Sequence, residues 1–205
     1  THGTVLRINM NNLAHNLNIY RAMLNPAVKT MAMVQAFSYG SGQAEIARLL
    51  ANQRVDYLAV AYADEGADLR RQGIRLPIMV MNPEPETFDQ LKQYQLEPEI
   101  YSIEILKAFI QSIGKDDASI HIKIDTGMHR LGFVENDIPE LLVLLKSHQH
   151  IRVASIFSHL AGADENKHDN FSEHQITLFN KIASSIQTTL GYQPLRHILN
   201  SSGIS

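Results

Sequence analysis

Lys123 and Asp125 stand two residues apart in KIDTGMHRLG (123–132), a spacing that on a β-strand would turn both side chains to one face. Opposite charges so placed are read either as a buried structural ion pair or as part of a reactive site, because burial is tolerated only when the charges are matched. Arg130, beyond the glycine of a tight turn, could hold a carboxylate through two parallel hydrogen bonds. Three other stretches carry comparable chemistry. In QAFSYGSG (35–42), Gly40 and Gly42 allow close backbone approach and Tyr39 offers a hydroxyl to a phosphate or carboxylate; a plain strand-to-helix turn explains the same letters. In FSHLAGADE (157–165), His159 directly follows an apolar run, where an imidazole either meets a flat ligand or serves as a structural residue. In NSSGIS (200–205), small hydroxyls and a glycine suit a phosphate, or a Ser-rich turn. Asp164, His168 and His174 could be recruited to a metal, but their spacing matches no familiar zinc or two-metal pattern, and no metal is expected.

These groups need a scaffold that brings them together. Short β-branched, apolar runs recur at 29–34, 57–61, 77–81, 97–101, 119–125, 153–158 and 197–200. Longer segments of helical period lie between them, among them AEIARLLANQ, SIEILKAFIQSIG and EHQITLFNKIASSIQTTLG, and NNLAHNLNIYRAML precedes the first run. Strands separated by helices imply a parallel sheet. Seven such units predict an α/β fold of the (β/α)8 TIM-barrel type, truncated before its eighth strand. VLRIN at 5–9 alternates in the period-2 manner and is expected to add a short N-terminal strand. In a parallel barrel functional groups gather at the C-terminal strand ends, where all four polar stretches fall.

The totals agree with a globular domain. Of the 205 residues, 44% are hydrophobic and 19% charged, too apolar a balance for a disordered chain. A net charge of −3 without a basic run argues against nucleic acid, and no apolar stretch approaches the roughly 20 residues of a membrane span. The absence of cysteine removes disulfides, thiolate catalysis and Cys-ligated metals, and fits a cytoplasmic location. The stop at NSSGIS predicts a piece of a longer protein.

Taken in order, DTGMHRLG, AFSYGSG, SHLAGADE and HILNSSG resemble the N-terminal barrel of the alanine racemases, which depend on pyridoxal 5'-phosphate, and the likeness runs along essentially the whole chain. AFSYGSG and VDYLAVAYADEG are most similar to the Bacteroidetes branch, where the racemase is often fused behind a Mur-type ligase. The resemblance implies that Tyr39 binds the cofactor phosphate with help from Ser201, that His159 packs against the pyridine ring, and that Asn200 lines the same pocket. It implies that Arg130 holds the cofactor's phenolic oxygen and the substrate carboxylate. Lys123 resembles a lysine carbamylated in many members, where the added negative group orients the arginine. Gln35 occupies the position of the Schiff-base lysine, which anchors the cofactor and moves a proton at the substrate Cα. The resemblance also implies a C-terminal β-domain, absent from these 205 residues, and a homodimer in which a partner's tyrosine serves the opposite face.

A carboxamide nitrogen has its lone pair delocalised and can do neither task of the lysine. With that lysine replaced and the C-terminal domain missing, the chain is expected to be inactive as it stands, its parent interconverting L- and D-alanine for peptidoglycan. Gln35 is then a substitution in an otherwise intact racemase, or a natural feature of a non-catalytic barrel that binds cofactor or mediates dimerisation. A third reading keeps the fold and changes the substrate to a basic amino acid that is decarboxylated; YGSG and DTGMHRLG favour the racemases over it.

Overall fold

The structure is a computed structural model that describes residues 3–162 and 169–204. Helix α1 (Met10–Ala22) leads into strand β1 (Met31–Met33) and the short turn α2 (Gln35–Gly40). There follow α3 (Gln43–Asn52), β2 (Tyr57–Val60), α4 (Ala63–Arg71), β3 (Ile78–Val80), α5 (Phe88–Gln93) and β4 (Glu97–Ile100). The second half continues with α6 (Ile103–Ile113), β5 (Ala118–Lys123), α7 (Ile138–Ser147), β6 (Ile151–Phe157), α8 (Asp169–Leu190), β7 (Leu195–His197) and α9 (Ser201–Ile204). The seven strands are parallel and lie in sequence order, so β1 and β7 are the edges of the sheet. This is the strand order of a β/α barrel.

Side chains alternate between two buried faces. Leu58, Val60, Ile78, Val80, Ile100, Ile120, Ile122 and Ile156 belong to the layer that packs under the helices. The amphipathic helices supply the other half of that layer, with Leu106, Phe109 and Ile113 from α6 and Leu141 and Leu145 from α7. Each Leu or Ile so buried contributes about 1.5–3 kcal/mol. The opposite face forms an inner layer in which Ala59, Met79 and Phe157 meet Met31, Met33 and Met81, side chains from β1, β2, β3, β6 and the residue just after β3. The edge-on contact of the Tyr57 and His121 rings at 5.6 Å joins β2 to β5 across the same interior, as a curled sheet requires. Between β5 and β6 the register steps from Ile120↔Val153 to His121↔Ser155, leaving Ala154 as an extra residue. This bulge sets Ser155 opposite His121 and Phe157 opposite Lys123.

Two expectations are corrected. Residues 5–9 form no strand: Val5 and Leu6 are about 70% exposed (71% and 72%), and Asn9 instead caps α1 by accepting from the N–H groups of Asn11 and Asn12. Alternation alone makes no strand where no neighbouring strand offers backbone groups. The seventh strand is Leu195–His197 rather than 197–200, so Asn200 falls in the loop beyond it.

Below the strand ends the interior holds a polar chain. His121 Nε2 lies 2.9 Å from Glu97 Oε2, its Nδ1 2.7 Å from Ser155 Oγ, and Ser155 Oγ 3.1 Å from His197 Nε2. Every group is satisfied once if His197 donates to Ser155, Ser155 to His121, and His121 to the Glu97 carboxylate. Tyr57 O–H also donates to Glu97, and His197 stacks on Phe157 at 4.8 Å. Burial, with His121 nearby, lowers the His197 pKa from 6.5 to about 4. The unfolded chain therefore binds a proton that the folded one refuses between these values. The stabilising contribution is complete above about 6.5 and is lost as pH falls toward 4. Melting temperatures measured across that window should fall with acidification in the protein and fall less in a His197→Gln variant.

Candidate active site

β1 ends in a segment of unusual backbone. Ala36, Phe37, Ser38 and Tyr39 all have φ between 49° and 56°, so α2 is a turn of left-handed helix made of four residues that are not glycine. Each residue so placed costs about 1–2 kcal/mol, and such strain persists only where neighbours enforce it. Glu65 of α4 is the enforcing group. One carboxylate oxygen accepts from Ala36 N–H, and the other from Ala61 N–H at 2.7 Å and Tyr62 N–H at 3.2 Å, which locks the turn after β1 to the loop after β2. Gly42 N–H closes the turn onto Phe37 C=O at 2.9 Å. Gln35 is left half-buried at the strand end, Ser38 is buried, and Tyr39 is exposed.

Lys123 is the last residue of β5 and is buried, but its partner is not Asp125. Its ammonium lies 3.0 Å from Oε1 of Glu99 on β4, whose side chain is fully buried. The contact lacks the alignment of a hydrogen bond, and Glu99 Oε2 has no hydrogen-bond partner among the described residues. The Lys123 nitrogen also lies 5.5 Å from the centre of the Phe157 ring. Burial pushes the Glu99 carboxyl above its ordinary value, against the opposing pull of Lys123 and, more weakly, Arg130. Asp125 has left the strand. Strand pairing ends at Lys123, Ile124 forms a single bridge to Phe133, and Asp125 accepts from Gly127 N–H at 2.9 Å and His129 N–H at 3.1 Å. The two-residue spacing misleads here because an Asp followed by Thr-Gly folds as a side-chain-closed turn. Gly132 completes the loop: at its φ of 132°, an added Cβ would sit 2.5 Å from Asp125 N. Arg130 is exposed on this loop.

After β6, His159 is half-buried, and the fully buried amide of Gln175 on α8 ties its loop to the previous one. Gln175 Nε2 donates to Thr126 Oγ1 at 3.1 Å and to His159 C=O at 3.0 Å, while its Oε1 accepts from Ala161 N–H at 3.1 Å. Asn200 accepts from Gly203 N–H at 2.9 Å and so caps α9, which begins with the exposed Ser201.

Gln35, Tyr39, Lys123, Arg130, His159, Asn200 and Ser201 thus all lie at, or just beyond, the C-terminal ends of β1, β5, β6 and β7. Glu65, Glu99 and Gln175 are the residues that the sequence did not disclose. Among the described residues no group of three or more His, Cys, Asp and Glu could hold a metal ion. Asp164 and His168 lie outside the described residues, and His174 is exposed on α8. No described helix is long and apolar enough to cross a membrane. Gln175→Leu keeps the side chain's bulk but leaves three groups, the buried Thr126 hydroxyl among them, without their Gln175 partner. Thermal or denaturant unfolding should register a loss of about 2–4 kcal/mol, since each unsatisfied group costs about 1–3 kcal/mol.

Residues 8–205 match the family model described as alanine racemase, N-terminal domain. The alanine racemase of Clostridium novyi is 34% identical over 96% of this chain and 51% of its own, and alanine racemase 1 of Caldanaerobacter subterraneus is 30% identical over 98% and 53%. An amino-acid racemase of Enterococcus faecalis is 38% identical over 86% of this chain and 25% of its own. Among solved structures, the alanine racemase of Clostridium difficile superposes with a TM-score of 0.86 at 33% identity, covering 96% of this chain and 55% of that one. The chain spans about half the length of the alanine racemases it matches. With seven parallel strands in the same architecture and their polar ends on one rim, this chain belongs to the alanine racemase N-terminal domain family.

Proposed function

We propose that this chain is the cofactor-binding barrel of a pyridoxal-phosphate-dependent alanine racemase, and that Gln35 makes it inactive as it stands. The observation that carries the reading is the gathering of Gln35, Tyr39, Arg130, His159, Asn200 and Ser201 at one end of the parallel sheet. The donor set fits pyridoxal phosphate held without a covalent bond: two hydroxyls, an imidazole and a guanidinium. It does not fit covalent attachment, because an amide nitrogen has no free lone pair for the aldehyde. When bound, the cofactor supplies an electron sink for the pair left on the substrate Cα after deprotonation.

The chain's own residues take the other tasks. Tyr39 and Ser201 donate to the phosphate, His159 presents its ring to the pyridine, and Asn200 borders the pocket. Arg130 holds the phenolic oxygen and orients the alanine carboxylate, with a bidentate geometry that only a guanidinium provides. A lysine at position 35 would carry the Cα proton on one face; a tyrosine from the partner of a homodimer, on a C-terminal β-domain, would serve the other. Loss of a positioned general base alone lowers a rate by about 10²–10⁴-fold. The full-length protein, with lysine at this position, would supply D-alanine for peptidoglycan in the cytoplasm. A non-catalytic barrel that binds cofactor or mediates dimerisation is the second reading, and Gln35 itself is what favours it.

Attachment is the direct test. After incubation with pyridoxal phosphate and reduction by borohydride, full-length protein carrying Gln35→Lys should gain the mass of one reduced cofactor, located to the peptide containing residue 35. The unsubstituted protein should gain none there. A folded Gln35→Lys protein with no adduct on that peptide would show that position 35 is not the attachment point.

A further inference from the structure

Glu65 makes more bonds than its place in α4 requires. As the third residue of that helix it supplies half of a capping box: Oε2 accepts from Tyr62 N–H at 3.2 Å and from Ala61 N–H at 2.7 Å, bonds that serve the start of the helix. The second oxygen, Oε1, reaches out of the helix to Ala36 N–H, 29 positions away in sequence. A helix cap gains nothing from that bond. We propose that Glu65 is a positioning residue for the cofactor site, its Oε1 holding the left-handed turn that sets position 35 and Tyr39 relative to each other. The inference deepens the racemase reading and rests on it for the tasks of those two residues.

The turn does not hold its conformation through its own residues. Ala36, Phe37, Ser38 and Tyr39 all lie in the left-handed region, against the preference of L side chains. Their side chains lend no support. Phe37 and Tyr39 are each 67% exposed, and the buried Ser38 hydroxyl has no hydrogen-bond partner among the described residues. Against the strain stand the backbone bonds of the turn and the Glu65 oxygen at its first residue. Gln43, the buried first residue of α3, adds a tie just beyond the turn, its amide nitrogen 3.5 Å from Glu65 C=O. Release of Ala36 would let the turn rewind toward ordinary right-handed dihedrals. Tyr39 would then leave the strand end in another direction relative to position 35. A phosphate held by Tyr39 would no longer be presented with residue 35 in reach of the same ligand.

Glu65→Gln separates the two roles. A carboxamide has one acceptor oxygen; turned toward Ala61 and Tyr62 it keeps two bonds, and turned toward Ala36 it keeps one. The amide therefore caps α4 and presents its NH2 to the Ala36 N–H, donor against donor. Two measurements on the full-length protein read the consequence. Hydrogen exchange of the protein as it stands, followed by peptide mass analysis, should become about tenfold or more faster over residues 36–40 and stay unchanged over 66–71, the effect of losing one hydrogen bond to a charged group. In a Gln35→Lys background, the pyridoxal phosphate concentration that half-saturates the borohydride-fixed adduct at residue 35 should rise by a similar factor. Unchanged exchange over 36–40, or equal acceleration of both segments, would show that Glu65 only caps α4 and would overturn the proposal. Faster exchange with an unchanged half-saturating concentration would overturn the positioning role. An adduct absent even with Glu65 intact would contradict the racemase reading and the positioning role with it, whereas the exchange comparison is independent of that reading.

Discussion

The ion pair between Glu99 and Lys123 lies inside a curled parallel sheet, where neither charge has water to turn to. A pair in that position requires neighbouring strands in register, since Glu99↔His121 and Lys123↔Phe157 are cross-strand partners and a one-residue slip would send each side chain into the apolar layer beneath the helices. The bulge at Ala154 is part of the same constraint, because without it β6 would present Ala154 rather than Ser155 to His121. The polar chain from Glu97 to His197 and the charged pair therefore depend on one alignment of β4, β5, β6 and β7. Removing either charge of such a pair is strongly destabilising, about 3–5 kcal/mol, because its partner is left buried and alone.

Above that layer the loops are held from behind rather than by their own sequence. Glu65 fastens a left-handed turn that four ordinary residues would not adopt unaided, and Gln175 fastens the loops after β5 and β6 to each other. Glu65 acts through backbone groups, and Gln175 through two backbone groups and the Thr126 hydroxyl, while the side chains offered at the rim, Tyr39 and Arg130 among them, remain exposed. A site of this kind is rigid in its backbone and open in its chemistry, as a cofactor-binding surface requires.

The barrel order was legible because buried β-branched runs and amphipathic helices differ plainly in period, and each of the seven strands lies within or beside its expected run. The rim residues were legible through motif resemblance, which carries their identity but no geometry. What stayed hidden depended on contacts distant in sequence. Lys123 was matched to Asp125 by spacing, whereas the pair forms with Glu99, 24 positions earlier, and Asp125 closes a local turn. The left-handed conformation of residues 36–39 has no local signal, since none of them is Gly, Asn or Asp. Residues 5–9 show the reverse failure: the alternating pattern is present, and no strand among the described residues pairs with it.

The proposed reading places the loss of Schiff-base chemistry at Gln35. The most direct test is alanine racemisation by the full-length protein with added pyridoxal phosphate, assayed as it stands and with Gln35→Lys. Activity that appears only with lysine is the predicted result. A folded protein inactive in both forms, or equally active in both, would contradict the assignment of position 35 as the point at which this barrel's chemistry is lost.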